Sequence, residues 1–380
     1  MTKKVFFFYF IFYYSFLFIY ANYMNIGDLE ITYLSKNYPI TLIENIFVSF
    51  GHNNIFLRLP SLLLSFFSIF LYYKISQKYL KKPQDIYFAT IIFSLLPGFL
   101  IASLLFNKSI YLIFLVLIFL YSFLYYRFYS YLFLLLFTIS DYSFIVLYMG
   151  LIFYSIYKKD TKFLIYNILL LAINANYFHY AIGGKPQGDF IGLLIIYFSI
   201  FSPLVFIYFL YSLIKINKPT ILWFISTGSL LISILLSFRQ RIKIDDYAPY
   251  VIISVVFMVY IFFNDYRIRL KIFRPFYKKL FILLFSSLFL FDVFIFISPY
   301  MLNKKIVAQF RYSKEISEYL QINNIDYIKC NEQKFCKKLY FYGLHKGEKY
   351  YLFWNRKTKK VSISHNHQKI DEFYVSKLNK

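Results

Sequence analysis

Short polar clusters divide this chain into apolar runs, most of them long enough to cross a membrane as helices. A helix needs about 20 apolar residues to span a bilayer, and fewer where flanking side chains reach the interface. On this rule we expect about eleven spans, near residues 5–23, 59–76, 86–106, 110–126, 128–140, 142–157, 163–180, 190–214, 220–237, 247–263 and 280–298. The short pair 128–140 and 142–157 leaves one bent span or a re-entrant pair as alternatives. The pattern therefore predicts a polytopic α-helical membrane protein.

The distribution of charge predicts how these spans are oriented. The net charge of +24 is compatible with nucleic-acid binding, but the Lys and Arg residues form short clusters between apolar runs, which topology explains better. The clusters are enriched in alternate loops, which predicts a cytoplasmic N-terminus and, with an odd number of spans, a C-terminal tail outside. The first run lacks a cleavage-site pattern and is interpreted as a retained signal anchor. Nucleic acid is not an expected partner.

The last part of the chain, residues 299–380, is predicted to be a small C-terminal domain after a transmembrane domain at 1–298. Its pattern YSKEISEYLQINNIDYIKC indicates an amphipathic helix followed by a strand, and KLYFYGL and KYYLFW indicate further strands. An α/β or α+β module outside the cytoplasm is therefore expected. Cys330 and Cys336 form a disulfide in an oxidising compartment or stay unpaired thiols, and both alternatives remain open.

The first polar interruption, residues 24–58, contains a set of residues with a distinctive order. These are Asp28, Glu30, Tyr33, Phe50-Gly51 and then Arg58-Leu59-Pro60-Ser61 at the start of the next apolar run. The order resembles the first extracytoplasmic loop of the family 39 glycosyltransferases, the aminoarabinose transferases and protein O-mannosyltransferases with the GT-C membrane fold. Glu30 and Tyr33 keep the family spacing, whereas Leu29 separates two acids that are usually adjacent in that family.

The resemblance implies an enzyme of the bacterial inner membrane and cell envelope. It would move a sugar from a polyprenyl-phosphate donor to a lipid, glycan or protein acceptor on the periplasmic side, with inversion of the anomeric centre. Glu30 would be the preferred general base toward the acceptor, with Asp28 as the second candidate. The alternative is that these acids are solvated loop residues or lie at the start of an interfacial helix. No cofactor is required with certainty, and a divalent metal remains open.

Basic residues on the same predicted face are candidates for binding the donor phosphate. Arg58 pairs with Asp28, Glu30 or a lipid phosphate, or is an anchor at the interface. A second group lies in an outer loop, where the positive-inside pattern disfavours charge, and is followed by a Tyr at the start of the next run: Arg239, Arg241, Lys243 and Tyr247. Attraction to anionic lipid headgroups is the alternative for this group.

Four further places carry weaker signals. The glycine-rich run 179–189 either lines the sugar pocket, with Lys185 or Asp189 as contacts, or is only a tight turn. Lys108 follows a predicted span where the resembled family often has an acid, which makes Asp141 the replacement candidate. Asp292 lies within the last predicted span, where acids are usually functional or paired. His365 and His367 lack a neighbouring metal ligand.

Three rival classes are weighed against a glycosyltransferase. A polysaccharide polymerase or ligase is also polytopic and uses arginines on the outer face, but generally has its large outer loop between late spans. A transporter or flippase requires charged residues at mid-bilayer depth and a repeat between halves. Asp292 is its sole candidate in the sequence, and no repeat is visible. A membrane scaffold without activity is the third class.

Overall fold

The computed structural model describes residues 3–34, 39–179, 188–301, 313–330, 333–347, 350–354, 360–365 and 368–377. Within these ranges the α-helices, numbered α1 to α18 in chain order, are Lys3–Tyr23, Asp28–Leu34, Pro39–Val48, Asn54–Tyr79, Pro83–Leu95, Pro97–Leu104, Lys108–Tyr125, Arg127–Ser140, Phe144–Lys158, Thr161–Tyr177, Phe190–Phe201, Pro203–Lys215, Ile221–Ser237, Ala248–Ile252, Val255–Ile268, Arg274–Met301, Ser313–Ile322 and Gln333–Phe341. The strands β1 to β5 are Tyr327–Cys330, His345–Lys346, Tyr350–Trp354, Lys360–His365 and Gln368–Lys377. Short 3₁₀ turns lie at Ile244–Asp246 and Lys271–Phe273.

Several of these helices are long and apolar enough to cross a membrane. Among the described residues there are 5 such helices, or up to 7 if each of two bent pairs is one span. The five are α1, α4, α7 and the segments Ala248–Ile268 and Lys271–Ile297. The count of eleven stays a prediction, because α8, α9, α10 and α13 have 14, 15, 17 and 17 residues and are only about 21 to 26 Å long at 1.5 Å per residue.

Two predicted spans are broken in the structure. The span near 86–106 is divided into α5 and α6, which are bent by 61°, and the span near 190–214 into α11 and α12, bent by 98°. Each second helix begins with a proline, Pro97 or Pro203. Proline lacks the backbone N–H that would continue the helix and disfavours helical geometry in the residue before it. Ser202, before the second break, has a φ of 67°.

The chain folds into two compact units. The first comprises the start of α1 with Leu63–Ser103 and Lys108–Ile295. Within it α9 and α13 cross closely at Gly150 and Gly228, where a Cβ on Gly150 would lie 2.9 Å from the Cα of Ile225. Small residues at helix crossings allow backbones to approach in this way.

The second unit comprises Ile11–Leu62, Leu104–Asn107 and the chain from Phe296 onward. Its mixed sheet has the strand order β2-β1-β3-β5-β4, with β1 parallel to β2 and β3, and β5 antiparallel to β3 and β4. Buried side chains of α17, α18 and the central strands pack together, among them Leu320, Ile328, Leu339 and Leu352. The tail and the first polar interruption thus belong to one unit.

The tail agrees with the sequence in part. The predicted helix and strand are present as α17 and β1, and KYYLFW contains β3. The prediction of a strand at KLYFYGL is wrong, because α18 runs through Phe341. Its buried residues Phe335, Leu339 and Lys338 follow a helical rather than an alternating period.

A disulfide links Cys330, at the end of β1, to Cys336 in α18. The two alternatives that the sequence left open are thereby resolved in favour of the paired form.

Candidate functional site

The two acids of the first interruption lie in the first turn of α2. Negative side chains are favoured there because the unpaired N–H groups and the helix dipole present positive charge. Glu30 reaches back to the backbone N–H of Gly27 at 2.7 Å, which is half of a capping box. Both acids therefore lie at the start of a helix, as one alternative for them proposed. That this helix lies at the membrane interface stays a prediction.

Glu30 is saturated with hydrogen bonds. Its Oε1 accepts from Arg58 Nε at 2.9 Å and from the backbone N–H of Phe106 at 3.1 Å. Its Oε2 accepts from Arg58 Nη2 at 2.8 Å and from Gly27. A carboxylate has about four lone-pair positions, and Glu30 is 1% exposed. No acceptor site of Glu30 is left over for a substrate proton in this arrangement.

Arg58 is equally committed. Besides the two bonds to Glu30, it donates from Nη1 to the carbonyl oxygens of Ala21 and Met24, and from Nη2 to that of Asn25 at 3.0 Å. A guanidinium has five N–H donors, so all are engaged, and the side chain is fully buried. Of the partners predicted for Arg58, the structure shows Glu30. Phosphate binding by Arg58 stays a prediction that would require one of these bonds to break.

Asp28 is the more accessible acid. Its side chain is 34% exposed, and its Oδ1 lies 2.5 Å from Nζ of Lys338, a residue of α18 that is itself 1% exposed. A buried lysine thus fixes a carboxylate whose remaining surface is open. Asp28 can meet a ligand in a way that Glu30 cannot.

A second link, between the tail and the two ends of the first polar interruption, runs through Tyr342. Its hydroxyl accepts from the backbone N–H of Ile26 at 3.1 Å and donates to Asn54 Oδ1 at 2.5 Å. Asn54 in turn donates to the carbonyl oxygen of Asn22 at 3.1 Å. Burial raises the pKa of Tyr342 to about 12, so this hydroxyl keeps its proton at neutral pH.

We call Asp28, Glu30, Arg58, Lys338 and Tyr342 the first-loop site. The sequence predicted the first three, and the structure brings them together. Lys338 and Tyr342 were missed, because they lie about 300 residues further along the chain in a segment whose helix was predicted as a strand. A helical period in 333–341 would have been the signal.

The first unit contains a separate charged cluster around Lys108. Lys108 is 3% exposed. Its Nζ pairs with Asp141 at 3.3 Å and with Asp246, and lies 4.2 Å from the ring centre of Tyr142. Tyr142 donates to Asp246 Oδ2 at 2.6 Å. Asp141, the replacement candidate, is therefore held by a lysine.

Asp246 is the residue of this cluster that sequence reasoning missed. Burial raises its pKa above the ordinary range for an aspartate, and Lys108 opposes that shift. The signal was the adjacent pair Asp245-Asp246 in a loop that also carries the basic group. Ser109 donates to Asp245 at 2.9 Å, so both acids have partners.

The predicted basic group lies between α13 and α14. Arg239, Arg241 and Lys243 are exposed, and Arg241 pairs with Asp189 at 3.3 Å with 80% of its side chain exposed. Tyr247 is 6% exposed, and its side chain belongs to the core. The structure therefore places the basic side chains on a surface and Tyr247 beneath it.

The other predicted residues are placed as follows. Lys185 and His367 lie outside the described residues. Asp189 begins α11 and accepts from the backbone N–H of Gly192 at 3.2 Å. Asp292 is 5% exposed, and neither carboxylate oxygen has a hydrogen-bond partner among the described residues. The described residues contain no cluster of three His, Cys, Asp or Glu side chains that could hold a metal.

The fold defines the class: a helical protein in which the described part of the chain has five to seven helices that can span a membrane. No family model matches the chain, and no curated protein or solved structure is significantly similar to it. The function is therefore inferred from the geometry of the site.

Proposed function

We propose that the protein is a membrane glycosyltransferase that moves a sugar from a polyprenyl-phosphate donor to a lipid, glycan or protein acceptor at the outer face of the inner membrane. The observation that carries this proposal is the difference between the two acids of α2. Glu30 is buried and saturated by Arg58 and two backbone N–H groups, whereas Asp28 is partly exposed and fixed by Lys338. Glu30 is held inside the fold, whereas Asp28 has a surface that a substrate can reach.

Asp28 takes the role of base in this proposal. The acceptor hydroxyl or amine attacks C1 of the donor sugar, the bond from C1 to the phosphate oxygen breaks, and the polyprenyl phosphate leaves with the electron pair. Asp28 accepts the proton that the acceptor loses. A base must lie within hydrogen-bonding reach of that proton, and Asp28 has the open surface that this requires. Direct displacement inverts the anomeric centre.

Glu30 and Arg58 receive a positioning role. Arg58 connects the end of α1, through the carbonyl oxygens of Ala21 and Met24, to the first turn of α2 through Glu30. The pair thereby fixes the direction in which Asp28 leaves the helix. This revises the expectation that Glu30 itself is the preferred base.

The exposed basic group of the first unit supports a phosphate-binding role. Arg239 and Lys243 are exposed and, among the described residues, have no carboxylate partner within ion-pair distance, whereas Arg241 is shared with Asp189. Basic side chains in this state can bind a leaving phosphate without first losing a partner. The disulfide of the tail is compatible with an oxidising compartment.

The test is donor turnover by purified protein reconstituted with the polyprenyl-phosphate sugars extracted from the source membranes. Release of free polyprenyl phosphate is measured by mass spectrometry. Removal of a general base typically lowers the rate about 10²- to 10⁴-fold, so we expect a loss of that size for Asp28→Asn. Asp326→Asn, an exposed acid of the same unit, is the matched control and should retain full turnover. An Asp28→Asn protein with more than a tenth of parental turnover would contradict the role of Asp28.

Asp292 favours one rival function. Its carboxylate is buried and has no hydrogen-bond partner within the described ranges of the chain. Such acids in membrane-spanning helices are typical of ion and proton pathways, which is the chemistry of a transporter. If the parent protein releases no polyprenyl phosphate but moves protons across reconstituted vesicles, and Asp292→Asn abolishes that transport, the transporter replaces the transferase as the better explanation.

A further inference from the structure

A groove runs along one face of α16 in the first unit and ends at a basic turn. Its deep part is a narrow crevice among α5, α12, α15 and α16 and is lined only by apolar and aromatic side chains, among them Ile92, Tyr208 and Leu288. The next part shares Tyr208 and Leu284 with it and reaches Asp265. A third part shares Asp265 and is lined by Arg269. The three parts adjoin one another through these shared residues, and we call them together the channel.

The channel has the depth of one leaflet. Its lining residues on α16 extend from Phe276 to Leu288, a rise of about 18 Å at 1.5 Å per residue. Half of the hydrocarbon core is about 15 Å. An extended acyl chain entering at the basic turn would therefore lie against apolar side chains except beside Asp265, which pairs with Lys215.

Arg269 lines the end of the groove, and four more basic residues follow it in the next ten positions of the chain. Arg269, Lys271, Lys278 and Lys279 are exposed, and Arg274 donates to the carbonyl oxygen of Arg269 at 3.4 Å. In the described part of the chain none of these five has a carboxylate within ion-pair distance. Asp265, the one acid in the lining, is occupied by Lys215 at 2.5 Å. The charge at the mouth is thus open to an anionic headgroup.

We propose that this groove binds an anionic phospholipid, with the phosphate at Arg269 and Arg274 and one acyl chain along α16. Basic side chains beside an apolar channel match the two parts of such a lipid. The site differs from that proposed for the sugar donor. The basic group 239–243 precedes the helical segment Ala248–Ile268, whereas Arg269 follows it, so a span of 21 residues separates the two.

The experiment is native mass spectrometry of the full-length protein in mild detergent, incubated with equal amounts of phosphatidylglycerol and phosphatidylcholine that carry the same acyl chains. We expect one tightly retained phosphatidylglycerol, preferred about tenfold over phosphatidylcholine. Arg269→Gln with Arg274→Gln should remove most of this preference. Arg269→Lys with Arg274→Lys should keep it, because the charge remains.

Two further variants separate the site from general lipid adhesion. Leu284→Trp fills the apolar channel and should reduce retention of both lipids. Lys159→Gln with Lys162→Gln, which removes two exposed charges elsewhere in the same unit, should change nothing. Equal retention of the two lipids by the parent, or an unchanged preference in the Arg269→Gln/Arg274→Gln protein, would overturn the proposal. Displacement of phosphatidylglycerol by an equal amount of polyprenyl phosphate would overturn it as well.

Discussion

The Glu30 and Arg58 side chains are 1% and 0% exposed. Both charged groups are therefore removed from water and are stabilised by each other. In a buried ion pair the desolvation cost is offset only while both partners are present. A neutral side chain at either position leaves a buried charge without compensation. For this reason a loss of activity on changing Glu30 cannot by itself identify a catalytic base.

We predict that Glu30→Gln destabilises the protein by about 3–5 kcal/mol. The loss should be smaller in Glu30→Gln with Arg58→Met, because the second change removes the stranded guanidinium. Unfolding of the purified proteins in detergent measures both. Glu318→Gln, a 58% exposed acid in an i,i+4 pair, is the control and should cost less than about 1 kcal/mol. A double variant at least as unstable as the sum of its two singles would contradict the pairing.

Sequence separation decides which residues of the first-loop site could be predicted from the sequence. Glu30 and Arg58 lie on either side of one polar interruption, so composition and order alone made them candidates. Lys338 and Tyr342 reach the same site only because α18 packs against α2. The local sequence of either segment can indicate a helix, but it does not predict that the two helices touch. Their absence from the sequence-based prediction reflects this long-range packing.

At the scale of elements, α9 and α13 can cross closely because Gly150 has no side chain at the crossing. A Cβ on Gly150 would meet the backbone Cα of Ile225 at 2.9 Å, whereas one on Gly228 would lie 3.4 Å from the Cα of Gly150. The first contact requires the helices to move apart, and the second is close to ordinary van der Waals distance. The two glycines therefore differ although both lie at the same crossing.

Gly150→Ala should accordingly lower the free energy of unfolding by about 1–3 kcal/mol, the typical cost of overpacking. Gly228→Ala is the matched substitution at the same crossing and should cost clearly less. Thermal unfolding of both variants beside the parent gives the comparison. Equal losses would show that the crossing is looser than described.

Hydropathy is a local property, and it predicted the positions of the apolar helices well. It did not predict the breaks before Pro97 and Pro203, although a proline within an apolar run is a local signal for a bend. In the tail, KLYFYGL was assigned as a strand from its aromatic and apolar content. The disulfide to Cys336 and the packing of Leu339 against the core hold that segment as a helix instead.

At the scale of the molecule, the first interruption and the tail belong to one unit. Their contacts include the pair of Asp28 with Lys338 and the bond from Tyr342 to Asn54. Both segments must then lie on the same side of the membrane. The charge distribution predicts that this is the outer side.

Cysteine labelling of intact cells tests this topology. Asn53→Cys and Asn323→Cys, both at exposed positions, should react with a membrane-impermeant maleimide, while Lys162→Cys should react only after permeabilisation. The native cysteines are joined in a disulfide and leave the background low. Labelling of Asn323→Cys together with Lys162→Cys, but not with Asn53→Cys, would refute the arrangement.

The transferase proposal is tested most directly by mass spectrometry of the lipids, surface glycans and glycoproteins of the source cells. The parent strain, a deletion strain and the deletion strain complemented with the parent gene are compared. The account predicts that one sugar modification disappears on deletion and returns on complementation, which also identifies the acceptor. An unchanged glycan profile in the deletion strain, under conditions in which the parent makes the protein, would contradict it.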